Sequence, residues 1–323
     1  KYIIKFFLIQ IKNKQANTLS FVNLHKPFSK MRIAIFSAFT NSETINTIKE
    51  IITISEKLNH EIIIIESLKK DLKSIKHNCK FFKKNEISNF NLDFLFSVGG
   101  DGTLLRSITI VKNTEIPILG INTGNLGFLT SLQKEYLKKG LKLFFDKKYT
   151  LVNRSLLNVK TKNKIDSLNE FNYALNEVSI NRKDTTSMLS IETSINDLSL
   201  TTYWADGLII STPTGSTGYS LSSGGPILSP NTKTWVLNPI APHNINVRPL
   251  IISDSSNIKI SVKGKGENFL LSLDSRIFTL KNGNEIFLKK ASFNVKTVEL
   301  EGDFFFKTLR EKLFWGKDQR NTQ

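Results

Sequence analysis

Five consecutive residues, Gly99-Gly100-Asp101-Gly102-Thr103, carry the sharpest chemical signal in the chain. They follow an apolar run at residues 92–98 (LDFLFSV) and precede a helical stretch at 104–112, so they stand where a buried strand hands over to a helix. Ligands of open α/β sheets bind at such strand ends. Adjacent glycines let the backbone turn tightly and approach a ligand with no Cβ in the way. The N–H groups so freed, together with the helix N-terminus, favour an anion such as a di- or triphosphate. An acidic side chain there repels the phosphate that the loop attracts. Asp101 therefore makes sense either as a metal partner or as a base facing an attacking hydroxyl. The plainer alternative is a strand-to-helix turn with an aspartate cap.

Three more segments could do chemistry. Residues 120–129 (GINTGNLGFL) follow the next parallel strand, which places them beside the first loop at the same sheet edge; an ordinary glycine-rich connection is the alternative. Asn176-Glu177 interrupt an apolar strand (ALNEVSI). Burying them unpaired costs ~2–7 kcal/mol each, and ribose hydroxyls would be suitable partners, unless the pair lies on the exposed face of an edge strand. Residues 205–226 run from a strand into a loop dense in hydroxyls and glycines. Such a loop can bind a polyhydroxylated ligand, with Tyr219 stacking on a base. In isolation it reads as a flexible linker, but its apolar flanks argue against simple flexibility. A G-x-x-x-x-G-K-[ST] loop is absent, as is a G-x-G-x-x-G after the first strand and any HRD/DFG pair, so neither a P-loop enzyme nor a hydride-transferring Rossmann enzyme is expected.

The elements that must position these residues change character along the chain. Strands are expected at 32–37, 61–66, 92–98 and 117–121, with helices at 43–58, 104–112 and 134–145, an alternation that predicts a parallel sheet. After residue 149, strands are expected at 151–161, 175–182, 188–195, 198–211, 250–253, 258–263, 269–274, 285–290 and 293–300, with Asn196-Asp197 and Asn282-Gly283-Asn284 resembling hairpin turns. Residues 304–314 return to helical character. The fold class expected is an α/β Rossmann-like N-terminal domain at 31–150, a mainly β, sandwich-like domain at 151–300 and a C-terminal tail at 301–323 that packs back on the first.

Composition bounds the partners. The chain has 323 residues, 40% hydrophobic and 23% charged, which suits two globular domains with sizeable cores. One cysteine, Cys79, excludes an intrachain disulfide and fits a reducing, cytoplasmic location. The net charge of +17 would attract nucleic acid, anionic membranes or phosphorylated small molecules. The lysines are scattered, however (Lys69, Lys70, Lys138, Lys139, Lys289 and Lys290 among them), and no RNP motif or Cys/His finger accompanies them. No nucleic-acid or membrane partner is expected. His243 has no second ligand at metal spacing, and no metal site built from protein side chains is expected. Residues 1–30 hold an apolar patch broken by Lys5 and too short to span a bilayer; they are expected to be a disordered extension.

Taken together, these places resemble the NAD kinase family. GGDGT, GINTGNLGFL, the Asn-Glu pair, DGLIISTPTGSTGYSLSSGGPI, PIAPHNINVRPL and LDSR occur in the family's order and spacing, from Met31 to about Gly316. GGDGT alone is shared with lipid kinases and phosphofructokinase relatives; the Thr-Pro-Thr-Gly-Ser-Thr run is more specific. The resemblance implies transfer of the γ-phosphate of ATP, with Mg²⁺ or another divalent cation, to the 2′-hydroxyl of the adenosine ribose of NAD. It makes Asp101 the general base, with Gly99, Gly100, Gly102, Thr103 and Arg106 on the nucleotide and Asn125 in the second loop. Asn176 and Glu177 would contact NAD ribose and Asp206 the nicotinamide end. Thr217, Gly218, Tyr219, Ser220, Leu221, Ser222 and the Ala241 backbone would hold the adenosine part. The subunits would form dimers or tetramers. Gly218, Trp204 and Arg276 depart from residues common in the family (Ala, a basic residue and Gln), around the nicotinamide end. A diacylglycerol- or sphingosine-type lipid kinase and a non-catalytic dinucleotide sensor are the competing readings.

Overall fold

The computed structural model describes residues 30–73, 79–124, 127–183, 188–300 and 304–316. The extension expected at the start of the chain lies outside them except for Lys30, and so does Asn125. In chain order the first half gives β1 (Arg32–Phe36), α1 (Ser42–Lys57), β2 (Glu61–Ile65), β3 (Lys80–Phe82), β4 (Phe94–Val98), α2 (Asp101–Val111) and β5 (Ile118–Asn122). These strands pair in parallel in the order β3-β2-β1-β4-β5. The sequences IAIF, IIII, FLFSV and ILGIN are buried at every residue, as strands of a parallel sheet covered on both faces require. Helix α1 begins where the Asn41 side chain accepts the Thr44 N–H at 2.8 Å, and it buries Ile45, Ile48, Ile51 and Ile52. The strand order reverses between β1 and β4, the switch point at which open α/β sheets form a crevice.

The second half gives β6 (Leu132–Gln133), α3 (Leu137–Phe145), β7 (Tyr149–Thr161), α4 (Asp166–Asn169), β8 (Tyr173–Ala174), β9 (Glu177–Arg182), β10 (Leu189–Ile195), β11 (Leu198–Ala205), β12 (Gly207–Ser211), α5 (Tyr219–Ser222), β13 (Thr234–Ile240), β14 (Leu250–Ser253), β15 (Ile258–Gly264), β16 (Asn268–Leu273), β17 (Arg276–Lys281), β18 (Glu285–Leu300) and α6 (Phe304–Leu313). A six-stranded sheet, β14-β13-β12-β9-β16-β17, is antiparallel throughout. Its Ile180, Leu208, Trp235, Phe269 and Leu271 share one buried cluster with Ile191, Tyr203, Ile260 and Val262 of β10, β11 and β15, the sandwich-like packing expected. Strand β18 joins the halves: Ile258–Ser261 pair with its start, β7 runs along its length, and Thr297 pairs in parallel with Ile118 of β5.

The structure corrects several sequence expectations. The strand expected at 198–211 is two strands in different sheets, because the chain leaves β10 after Ala205 and joins β9 from Gly207 onward. Those expected at 285–290 and 293–300 are one strand with a register shift between Lys290 and Asn294. Asn196 and Asp197 do close a hairpin, both at positive φ (50° and 64°). Asn282-Gly283-Asn284 instead links β17 to β18, which belong to different sheets. Strands β3, β13 and β17 were not expected; β13 (TWVLNPI) hides behind its Asn and Pro.

His60 shows how firmly the first half is packed. Its ring stacks on Phe145 at 4.6 Å, Nδ1 accepts the Met31 N–H at 3.2 Å, and the buried Nε2 has no hydrogen-bond partner. Burial holds its pKa below the usual histidine value of 6.5, against the nearby Asp93 charge. A base depressed in the folded state leaves the unfolded chain binding more protons, so stability falls as pH drops below about 6.5. In thermal melts between pH 8 and 5, His60→Phe, which keeps the stack, is expected to flatten that acid-side decline.

Candidate active site

Asp101 is the first residue of α2, immediately after the C-terminal end of β4. Gly99 there has φ +147°, a backbone conformation that side chains rarely adopt, and a Cβ would lie 2.4 Å from Thr103 Oγ1. The Asp101 carboxylate does not cap its own helix. Oδ2 accepts the Phe128 N–H at 2.8 Å, while Oδ1 accepts the Leu129 N–H at 3.1 Å and the Thr130 N–H and hydroxyl, each at 3.3 Å. The second glycine loop is therefore bolted to the first, as their adjacent strands demand. Gly127 permits the approach, since a Cβ there would lie 2.0 Å from Asp101 Oδ1. A carboxylate offers about four acceptor sites, and Oδ2, with one donor, keeps capacity for an incoming hydroxyl.

A second carboxylate does the same for Asn176-Glu177. Asp274, at the end of β16, accepts the N–H groups of Leu175 at 3.1 Å, Asn176 at 2.7 Å and Glu177 at 3.3 Å. Arg276 lies 3.8 Å from Asp274 and also donates to the Phe171 and Tyr173 carbonyls. On the other side the hydroxyl-rich segment docks: the Thr212 N–H donates to Asn176 O at 2.9 Å, and the Thr212 hydroxyl to Leu175 O. This segment is ordered and mostly buried as a tight turn, Thr214–Thr217, followed by α5, not a flexible linker. Two buried acceptors are left with no partner, Asn176 Oδ1 and Glu177 Oε2. Burial, then the Asp274 charge, pushes the Glu177 carboxyl up to about 8. Asp274 is raised by burial too, but three N–H donors and Arg276 work the other way, so Glu177 is the member of the pair that holds its proton near neutrality.

The remaining expected residues spread around these two bolts. Gly100 is half-buried, Gly102 exposed and Thr103 buried with Oγ1 unpartnered. Arg106 is exposed one turn along α2, its guanidinium 5.6 Å from the Phe39 ring that follows β1. Thr217 and Gly218 are half-buried, Tyr219 is exposed on α5, and buried Ser220 offers its carbonyl to the Asn238 amide at 2.9 Å. Leu221 is half-buried and Ser222 exposed. Asp206 pairs with Arg182 at 3.1 Å, and Ala241 takes a positive φ of 44° on an exposed stretch. His243 is also exposed, and the described residues contain no group of three metal-ligating side chains. Sequence reasoning missed Phe39, Asp274 as a bolt, and Arg154. The available signals were a carboxylate ending an apolar strand (FLLSLD) and an arginine in strand register with Leu156.

Comparison with known proteins decides the lineage. Residues 32–149 match the ATP-NAD kinase N-terminal domain and residues 175–300 the ATP-NAD kinase C-terminal domain. The chain belongs to the ATP-NAD kinase family. An NAD kinase from Flavobacterium psychrophilum is 47% identical over 294 residues, 90% of this chain and 100% of the relative, and one from Bacteroides fragilis is 41% identical over 291 residues with the same coverage of both. Yeast NADH kinase complexed with NADH superposes with a TM-score of 0.82 at 25% identity, covering 91% of this chain and 90% of that one. An Archaeoglobus fulgidus NAD kinase in complex with ATP gives 0.68 at 25% identity, covering 87% and 99%.

Membership of the ATP-NAD kinase family makes the Glu177 proton testable. An acid raised to about 8 in the folded state loses its proton earlier when unfolded, so its burial costs stability progressively from about pH 4.5 to 8. Glu177→Gln is expected to gain in melting temperature over wild type across that range, with the difference level above pH 8.

Proposed function

We propose that this chain is an NAD kinase that transfers the γ-phosphate of ATP to the 2′-hydroxyl of the adenosine ribose of NAD, giving NADP and ADP. The observation that carries the reading is the pair of buried, unpartnered acceptors, Asn176 Oδ1 and Glu177 Oε2, which a ribose would satisfy. The protonated Glu177 carboxyl can donate to one sugar oxygen and accept from another hydroxyl. Tyr219 offers its ring to the adenine, and Thr217, Gly218, Ser220, Leu221, Ser222 and the Ala241 backbone surround the same half of the dinucleotide. Asp206, paired with Arg182, stands at the nicotinamide end.

The triphosphate is held by the backbone N–H groups of Gly100, Asp101 and Gly102 and by Arg106, at the N-terminus of α2, since the Gly99 and Thr103 N–H groups are spent on the Ile121 and Gly100 carbonyls. The divalent cation enters with ATP as part of the substrate, and bound to the phosphates it neutralises their charge. The 2′-oxygen attacks the γ-phosphorus, the bond from that phosphorus to the β–γ bridging oxygen breaks, and ADP leaves. The hydroxyl proton passes to Asp101 Oδ2, the carboxylate oxygen with a single donor. Because phosphoryl transfer is loose, this proton leaves late and orientation of the hydroxyl matters more than base strength. A homo-oligomer, dimer or tetramer, belongs to the same reading; exposed Leu198 and Trp204 on edge strand β11 and Ile251 on edge strand β14 support it. So does a cytoplasmic location, in keeping with the unbridged Cys79.

The test is NADP formation from NAD and Mg-ATP, read with an NADP-specific dehydrogenase, for wild type and Asp101→Asn. General-base catalysis contributes typically ~10²–10⁴-fold, so the variant is expected to lose at least about 10²-fold in kcat while NAD still binds. Its amide would oppose one donor of the second loop, so both proteins are compared well below their melting temperatures. Unchanged turnover in the variant would remove Asp101 from the chemistry.

A further inference from the structure

Arg154 of β7 is 3% exposed, yet every arm of its guanidinium is engaged. Nε donates to Thr297 Oγ1 at 2.9 Å, Nη2 to Glu299 Oε1 at 2.9 Å, and Nη1 to Thr214 Oγ1 at 3.4 Å. Burial pulls the guanidinium below its ordinary pKa, and the carboxylates of Glu299 and Asp101 push it back. The side chain thus contacts two parts of the molecule, and the charge of a third, Asp101, acts on it from nearby. Thr297 and Glu299 belong to β18, beside β5; Thr214 opens the tight turn whose preceding Thr212 is hydrogen-bonded onto Leu175 and Asn176; Asp101 holds the second glycine loop.

Burying a cation is expensive, and an apolar side chain of similar volume is often as stable or better in such a place. Leu156, two residues on and facing the same side of β7, is fully buried and apolar. Packing alone does not call for arginine at 154. A rigid fork that reaches three acceptors at fixed angles does.

We propose that Arg154 is a positioning residue for phosphoryl transfer: it holds the Thr214 turn against β18 and so sets where the acceptor ribose lies relative to Asp101. This rests on the NAD kinase reading above. Arg154 itself touches neither substrate. Its loss lets the turn drift, and with it Thr217 at its end, so the ribose is still bound through Asn176 and Glu177 but is misaligned with Asp101; the damage falls mainly on kcat, with at most a small rise in KM for NAD. A misplacement of about 1 Å can cost on the order of 10²-fold in rate.

The experiment is steady-state kinetics with NAD and Mg-ATP on wild type, Arg154→Met, Arg154→Lys, Thr214→Val and the Arg154→Met/Thr214→Val double variant, at a temperature where melts show each fully folded. Arg154→Met is expected to lower kcat by roughly 10–100-fold with both KM values within about threefold of wild type. Arg154→Lys, which keeps the charge but not the fork, should fall between. Thr214→Val should lower kcat by roughly 3–10-fold, and the double variant should be no slower than Arg154→Met within about twofold, because the two act through one bond. A kcat for Arg154→Met within about threefold of wild type, a loss confined to KM, or multiplying single effects would overturn the proposal. If Arg154→Met does not fold, Thr214→Val alone decides, since an unchanged kcat there overturns it too. Inactive wild type would instead defeat the NAD kinase reading, and this proposal with it.

Discussion

The site depends on one carboxylate being used against a backbone. Asp101 stands at a helix N-terminus, in a glycine loop suited to phosphate, where a negative side chain works against the loop's purpose. The structure resolves the conflict by turning the carboxylate onto the N–H groups of Phe128, Leu129 and Thr130. Charge-assisted bonds of this kind are roughly twice as strong as neutral ones, and they spread the aspartate charge over the neighbouring loop. The start of α2 keeps its outward N–H groups clear of the carboxylate, and Oδ2, with one donor, keeps capacity for another. Removing the side chain would therefore free two loops at once.

Asp274 repeats the device on the other side of the site. It too accepts three consecutive backbone N–H groups, those of Leu175, Asn176 and Glu177, and an arginine stands near each carboxylate. The consequences differ because the surroundings differ. Asp274 is walled in beside Glu177, and burial, joined by the Asp274 charge, raises Glu177 to about 8, whereas Asp101 lies at the crevice edge, half-exposed. One carboxylate is enclosed with the backbone it holds; the other fastens a loop and keeps part of its surface open.

Much of this was legible in the residues. Short apolar cores such as IIII within EIIIIE suit strands buried on both faces, and the glycines after LDFLFSV mark the loop that the strand order then places at the switch point. Asn176-Glu177 announced an unsatisfied site because two polar groups interrupt an apolar strand. What stayed hidden was non-local. Residues 198–211 carry one continuous strand pattern, and nothing in hydropathy says that the chain changes sheets at Asp206. The Asn-Pro of β13 weakens its strand pattern, yet the Asn238 amide is satisfied by Ser220 and Ser223 and Pro239 stands within the β12 ladder. The hold of Asp101 on residues 128–130 and of Arg154 on Thr214 spans too much chain for any local motif.

The continuity of β18 limits how such a site can close. A single strand pairs with β15 of the sandwich, with β7 along its length and with β5 of the parallel sheet, so a hinge between the halves would have to break ladder hydrogen bonds at the seam. At the seam itself Thr297 pairs with Ile118, and each broken bond left buried there costs on the order of 1–3 kcal/mol. The C-terminal helix adds a second tie, with Lys312 over the Phe128 ring at 4.9 Å and Phe305 against it at 6.5 Å. The loops that carry the site are therefore seated on a continuous frame, and the second glycine loop among them is fastened by Asp101 and clasped by the helix.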